Sequence, residues 1–119
     1  MAYMLLVMED GGRKRNRTAA EGRREMERMG SFVEDLKARG IWKASDSLRS
    51  ASEGVRIESR GGQRTLRDGP FTESKEIVGG FILFECNNRA EALAIASECP
   101  AAEWATVELR EVGPCYEGD

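Results

Sequence analysis

Six apolar residues in a row, Tyr3-Met4-Leu5-Leu6-Val7-Met8, leave no polar position on either side of an extended chain. Such a run predicts a strand buried on both faces, and Glu9-Asp10-Gly11-Gly12 ends it. Past a basic loop, Thr18-Ala-Ala-Glu21 has the form of a capping box, in which two side chains satisfy free amides of a first helical turn. Met26, Met29, Val33 and Leu36 then recur at i, i+3, i+7 and i+10, and Phe32 widens the stripe. That spacing predicts an amphipathic helix stopped by Gly40. Gly22 and Gly30 lie inside it and weaken it by up to about 1 kcal/mol each relative to alanine. Gly30 is expected to admit close approach of a neighbouring backbone.

Residues 41–52 show no period and are expected to be irregular, with Trp42 either a plug at the domain edge or part of a cavity wall. Val55, Ile57 and Ser59 alternate with Arg56, Glu58 and Arg60 before Gly61-Gly62, and Gln63 to Arg67 completes a predicted hairpin. Phe81-Ile82-Leu83-Phe84-Glu85-Cys86 is a second strand apolar on both faces. Asn87 or Asn88 caps a second helix, whose buried side is expected to hold Ala92, Leu93, Ile95, Ala96 and Cys99 before Pro100 ends it. Ala105, Val107 and Leu109 mark one side of a last strand running to Val112.

Strand, helix, hairpin, strand, helix, strand, read as two β-α-β halves, predicts an α+β ferredoxin-like sandwich with both helices on one face of an antiparallel sheet. At 119 residues the chain is a single domain by length. Helices cover one sheet face only, so strands apolar on both faces call for a second cover. A second copy of the sheet is the simplest, and the fold prediction carries a homodimer with it.

A hydrophobic fraction of 40% and a charged fraction of 33% fit a folded globular domain and argue against disorder. No apolar run approaches the roughly 18–20 residues of a membrane span, so no membrane partner is expected. The opening Met1–Met8 is too short for a signal-peptide core. Cys86, Cys99 and Cys115 form an odd set without CxxC spacing, and the sequence has no histidine. Usual zinc patterns and histidine-based triads are thereby excluded, and the picture is of a reducing cytoplasm. Residues 1–67 carry 15 Lys+Arg against 10 Asp+Glu, and residues 68–119 carry 3 against 11. The only dense basic cluster, Arg13-Lys14-Arg15-Asn16-Arg17, suits a solvated loop or a contact to an anion or protein partner. Duplex nucleic acid is not an expected partner.

The segment Asp68-Gly-Pro-Phe-Thr-Glu-Ser-Lys-Glu76 concentrates chemistry in a turn. Asp68 either stabilises that turn through its own backbone or places a carboxylate at a cavity mouth, where it would serve as general base, ligand hydrogen-bond acceptor or cation contact. Phe71 is a core or dimer-interface aromatic, or one that stacks on a ligand. Glu73, Lys75 and Glu76 are a solvated cluster, or Lys75 pairs with Asp68 or Glu73, or it binds an anion. Gly79-Gly80 marks a bulge or a close strand contact; a strand rather than a helix follows, which removes a phosphate-cradle reading.

With Tyr3-Met4-Leu5-Leu6 at the start, Pro100-Ala-Ala, and Val107-Glu-Leu-Arg-Glu-Val112 near the end, this segment resembles the DGPF-type members of the YciI-like (YCII-related) family over nearly the whole chain. The resemblance implies a dimeric α+β barrel in which two ferredoxin-like sheets close around a shared cavity. Some relatives carry a proposed catalytic pair, a histidine in the first helix and an aspartate before the proline that ends the second. Here the corresponding positions fall near Met29 and at Cys99, so that mechanism is not carried over. Some relatives also occur beside sigma factors, which implies an alternative, non-enzymatic regulatory module using the basic loop. The leading expectation is a cytoplasmic homodimer binding a small organic molecule beside Asp68, Phe71, Glu73 and Lys75, with Tyr3 and Trp42 as further cavity residues. Any catalysis is expected to be acid–base chemistry by Asp68, without metal, haem or other cofactor.

Overall fold

The apolar runs form the middle of a sheet. The computed structural model describes residues 1–10, 16–71 and 73–116. Strand β1 (Ala2–Asp10) lies between β5 (Glu76–Glu85) and β6 (Thr106–Glu111), antiparallel to both. The fourth strand, β2 (Trp42–Ser47), pairs antiparallel with β5 and completes the order β2-β5-β1-β6. Two helices, α1 (Ala19–Ala38) and α2 (Arg89–Ser97), supply the second layer. The fold is α+β and ferredoxin-like.

Two expectations are corrected at this level. Residues 42–47, read as irregular, are the edge strand β2, and the hairpin is not part of the main sheet. Strands β3 (Val55–Arg60) and β4 (Gln63–Asp68) pair only with each other, inserted between β2 and β5. Gly61 and Gly62 turn the hairpin at φ of +57° and +79°, a region glycine enters without a Cβ clash.

Cross-strand register sorts the sheet into two faces. Tyr3, Leu5, Ile82 and Phe84 are buried under Phe32 and Leu36 of α1 and Ala92 and Ile95 of α2. Full burial of each large side chain contributes about 1.5–3 kcal/mol, and this cluster is what holds the layers together. The opposite face presents Met4, Leu6, Phe81 and Leu83, each only half-buried, with no helix over them. We call this the open face.

Both helices begin as the sequence predicts. Thr18 and Glu21 exchange capping bonds, the amide of Glu21 donating to Thr18 Oγ1 at 3.1 Å, and Asn88 Oδ1 accepts from the Glu91 amide at 2.8 Å. Helix α2 ends at Ser97, and Pro100 opens a 3-10 turn to Glu103. Two stripe residues depart from expectation. Leu93 on α2 is exposed, and Met26 on α1 is 74% exposed.

Candidate functional site

Where α1 leaves the sheet, a cavity of about 530 Å³ opens between them. It exists because side chains are missing from both walls. Gly30 faces it from mid-helix, and a Cβ built there meets nothing within 4 Å. The close backbone approach expected at Gly30 is therefore absent; the space is empty instead. From the sheet, Ser45, Ser47 and Gly80 occupy the helix-facing row beside Val7 and Ile82. Small residues on both sides keep the layers from interdigitating, and Met26, Met29, Val33 and Trp104 wall the void with apolar surface.

The glycine pair shapes the floor. Pairing of β1 with β5 slips between Val7 and Met8, so that Val7 faces Gly80 and Met8 faces Val78, leaving Gly79 as the extra residue of a bulge. The carboxylate of Glu9 lies over Gly79, where an added Cβ would sit 2.6 Å from its Cδ. A Cβ on Gly80 would come within 3.1 Å of the Asp46 carbonyl oxygen. The bulge thus brings an acidic side chain into the lining of the cavity, which Ser45 and Ser47 also line.

The far wall is braced by charge. Arg28 grips Glu103 with two parallel bonds, Nη1 to Oε1 at 2.9 Å and Nη2 to Oε2, and its guanidinium lies 5.6 Å from the Trp104 ring centre. That grip holds the Glu103 carboxyl below the ordinary carboxylate range and raises Arg28 above its own. At the other end, Arg17 donates to Glu25. Arg13 to Arg15, the rest of the basic cluster read from the sequence, lie outside the described residues.

Behind the cavity, Cys99 Sγ approaches Met29 Sδ at 3.9 Å. Cys99 and Met29, the second of which lies near the first-helix position that the family resemblance picks out, are thus side by side. In this chain they hold a thiol and a thioether. Burial pushes the Cys99 thiol pKa up, partly offset by the Ala101 amide, so it stays protonated and neutral at physiological pH.

Of the six residues singled out by sequence, two meet at the base of the hairpin. Phe71 is buried beneath the guanidiniums of Arg56 and Arg67, at 4.0 and 5.5 Å from its ring centre. Glu73 bridges the same two arginines at 3.0 and 2.8 Å, and its own backbone amide, then the two guanidiniums, keep its carboxyl pKa low. Lys75 makes no ion pair among the described residues; the partners of Glu73 are arginines. Asp68 ends β4 opposite Val55, exposed, and the next amide, Gly69, donates to Gly54 O at 2.8 Å.

Tyr3 and Trp42 sit apart from these, on the main sheet. Tyr3 is fully buried against Phe84, and its hydroxyl has no hydrogen-bond partner among the described residues; burial first, then nearby Glu111, hold its pKa up. Trp42 donates Nε1–H to Ser45 Oγ at 2.9 Å and lies 4.6 Å beneath the Lys37 ammonium. None of the six lines the cavity.

A profile of the YCII-related domain matches residues 1–115. The chain belongs to the YCII-related domain family. No curated protein matches it. Within this YCII-related domain the described residues hold no group of three His, Cys, Asp or Glu placed to bind a metal, and no helix long and apolar enough to cross a membrane. Sequence reasoning missed Glu9, Gly30, Ser45 and Trp104 as cavity residues. Only the mid-helix glycine carried a signal, since glycine at that position weakens a helix it does not terminate.

Proposed function

We propose that this YCII-related domain binds a small, largely apolar organic molecule in the cavity under α1 and works as a homodimer. The observation that carries the reading is the cavity itself. Its 530 Å³ falls within the roughly 300–1,000 Å³ of small-molecule sites, apolar walls surround it, and a few polar groups converge on it (Glu9, Ser45 and Ser47). The carboxylates of its lining, Glu9, Glu25, Glu34 and Asp46 against Arg17, favour neutral or cationic ligands over anions. The apolar open face supports the dimer, with a second sheet as its cover in the manner of a dimeric α+β barrel. Asp68-Gly-Pro-Phe-Thr-Glu-Ser-Lys-Glu76 supports a place among the DGPF-signature members. Its geometry favours a bracing role for Phe71 and Glu73, and three free thiols favour a reducing compartment.

A thermal-shift screen of neutral and cationic metabolites against wild type, Gly30→Leu and Asp68→Asn tests this. A ligand at about 100 times its Kd stabilises the fold by about 2.7 kcal/mol, a shift of several degrees. The cavity reading expects hits that vanish in Gly30→Leu, whose side chain enters open space, and persist in Asp68→Asn. The reverse pattern would move the pocket to the Asp68 segment and restore that carboxylate as the candidate acid–base group.

A further inference from the structure

The hairpin β3–β4 has two unlike faces. Arg56 and Arg67 stand opposite each other on one, clamped to Phe71, Glu73 and Ser74 at the base. On the other, Ile57 lies directly across from Leu66, with Val55 on the same side. These three are exposed by 65%, 70% and 49%, a contiguous apolar strip turned to solvent. An isolated two-stranded hairpin is marginal in water, because it has too little apolar surface to bury. This one is anchored firmly at its root while its apolar face stays uncovered.

The arm also projects. The radius of gyration is 16.4 Å, against about 13.5 Å for a compact chain of this length. The extents are 50 × 48 × 19 Å, and 19 Å accommodates only a sheet and its helix layer. The arm therefore extends along the layer, past the sheet edge. Residues 55–68 carry four arginines against Glu58 and Asp68, net +2, and Arg64 stands on the face of the apolar strip. The whole chain is −3, so the remainder carries −5.

We propose that the arm is a clasp for a second copy of this chain, laid along the flank of the partner's body with Val55, Ile57 and Leu66 against it. This deepens the homodimer reading and rests on it. When two flat bodies close through their open faces, an arm running past its own sheet edge lies beside the partner. The occupant is a second copy because the charges are complementary within one sequence. A basic arm finds an acidic body on every other copy, and a two-fold axis lets both arms engage at once. The open face that leads there carries Asp46 and Glu108 beside its apolar residues.

Sedimentation equilibrium on wild type, Ile57→Ser/Leu66→Ser and Leu6→Asp/Leu83→Asp tests the clasp. The two arm positions are solvent-exposed in the monomer, so the arm variant keeps its fold. The expected result is a dimer about a hundredfold weaker in the arm variant, which is the scale of losing a buried apolar anchor. Amide exchange of residues 55–67 should slow with protein concentration in wild type and not in that variant. A dimer of unchanged affinity, or exchange independent of concentration, overturns the clasp while leaving the sheet-face dimer standing. A wild type monomeric at high concentration overturns both. Dissociation by Leu6→Asp/Leu83→Asp alone upholds the dimer and rejects the arm's part in it.

Discussion

Replacing Gly30 by alanine should make this protein more stable, although the residue lies in the middle of α1 beside the candidate site. Glycine in a helix interior is about 1 kcal/mol worse than alanine, because the unfolded chain loses more freedom on ordering it. The gain is realised only if the added methyl has room, and here it meets nothing within 4 Å. Unfolding entropy of about 2.1 cal/mol/K per residue gives roughly 0.25 kcal/mol/K for this chain, so the full gain corresponds to about 4 °C in Tm. Gly22 is the internal control. One turn from the Thr18 cap, its added methyl would meet the Arg17 guanidinium at 3.5 Å, and a smaller gain is expected. Differential scanning calorimetry of the two variants and wild type measures both. A Tm for Gly30→Ala equal to or below wild type would contradict the open space in front of this helix position. It would mean that something fills the space in front of residue 30, and that the cavity is not open as described.

Gly69→Ala should loosen the arm at its root, because the new Cβ would lie 1.9 Å from the Ala51 carbonyl oxygen, and overpacking of this kind costs about 1–3 kcal/mol. Hydrogen exchange should speed up across residues 55–68 while the main sheet is unchanged; uniform protection would contradict it. Stability should fall in acid. Glu73, Glu85 and Glu103 all have folded pKa values held below the ordinary one, by the Glu73 amide, by Lys43 and by Arg28 respectively. Their stabilisation is present above the unfolded carboxylate pKa of about 4.3 and is lost as pH falls through the lower folded values, so urea midpoints should drop below about pH 4.5. Glu103→Gln should flatten part of that drop. Among the thiols, Cys115 is exposed while Cys86 and Cys99 are buried, so a thiol reagent should label Cys115 in the native protein and the other two only on unfolding. Native labelling of Cys99 as fast as Cys115 would disprove its burial.

Much of the fold was legible because its central strands have no polar face to hide. Strand β1 and the 81–85 half of β5 read from apolar runs, while 76–80 did not; the first cap read from the Thr18–Glu21 box, and the second was narrowed to Asn87 or Asn88, of which Asn88 caps. Strand β2 did not read, since Trp-Lys-Ala-Ser-Asp-Ser is an edge held to β5 alone and needs no alternating apolar row. The hairpin read as a hairpin, but nothing in Val55 to Arg67 says which sheet it joins. Its alternating apolar residues, Val55, Ile57 and Leu66, are exposed. The bulge at Gly79 was legible in kind, and the Glu9 carboxylate it accommodates was not. The cavity was the least legible feature, because Gly30, Ser45, Ser47 and Gly80 create it by what they lack, and three elements must fold before those absences coincide.

The pair behind the cavity bounds what this site can do by itself. Met29 has no titratable group, and the buried Cys99 thiol is held protonated, 3.9 Å away. No net charge sits at that point at physiological pH, and neither group can accept a proton from a substrate. The charged groups of the cavity lie elsewhere in its lining, with Glu9 over the bulge and Arg17 joined to Glu25. Apolar walls with a few charged groups among them can orient a ligand by its polar end and hold its body by contact. These observations support the proposed recognition role over proton transfer at the Met29–Cys99 position.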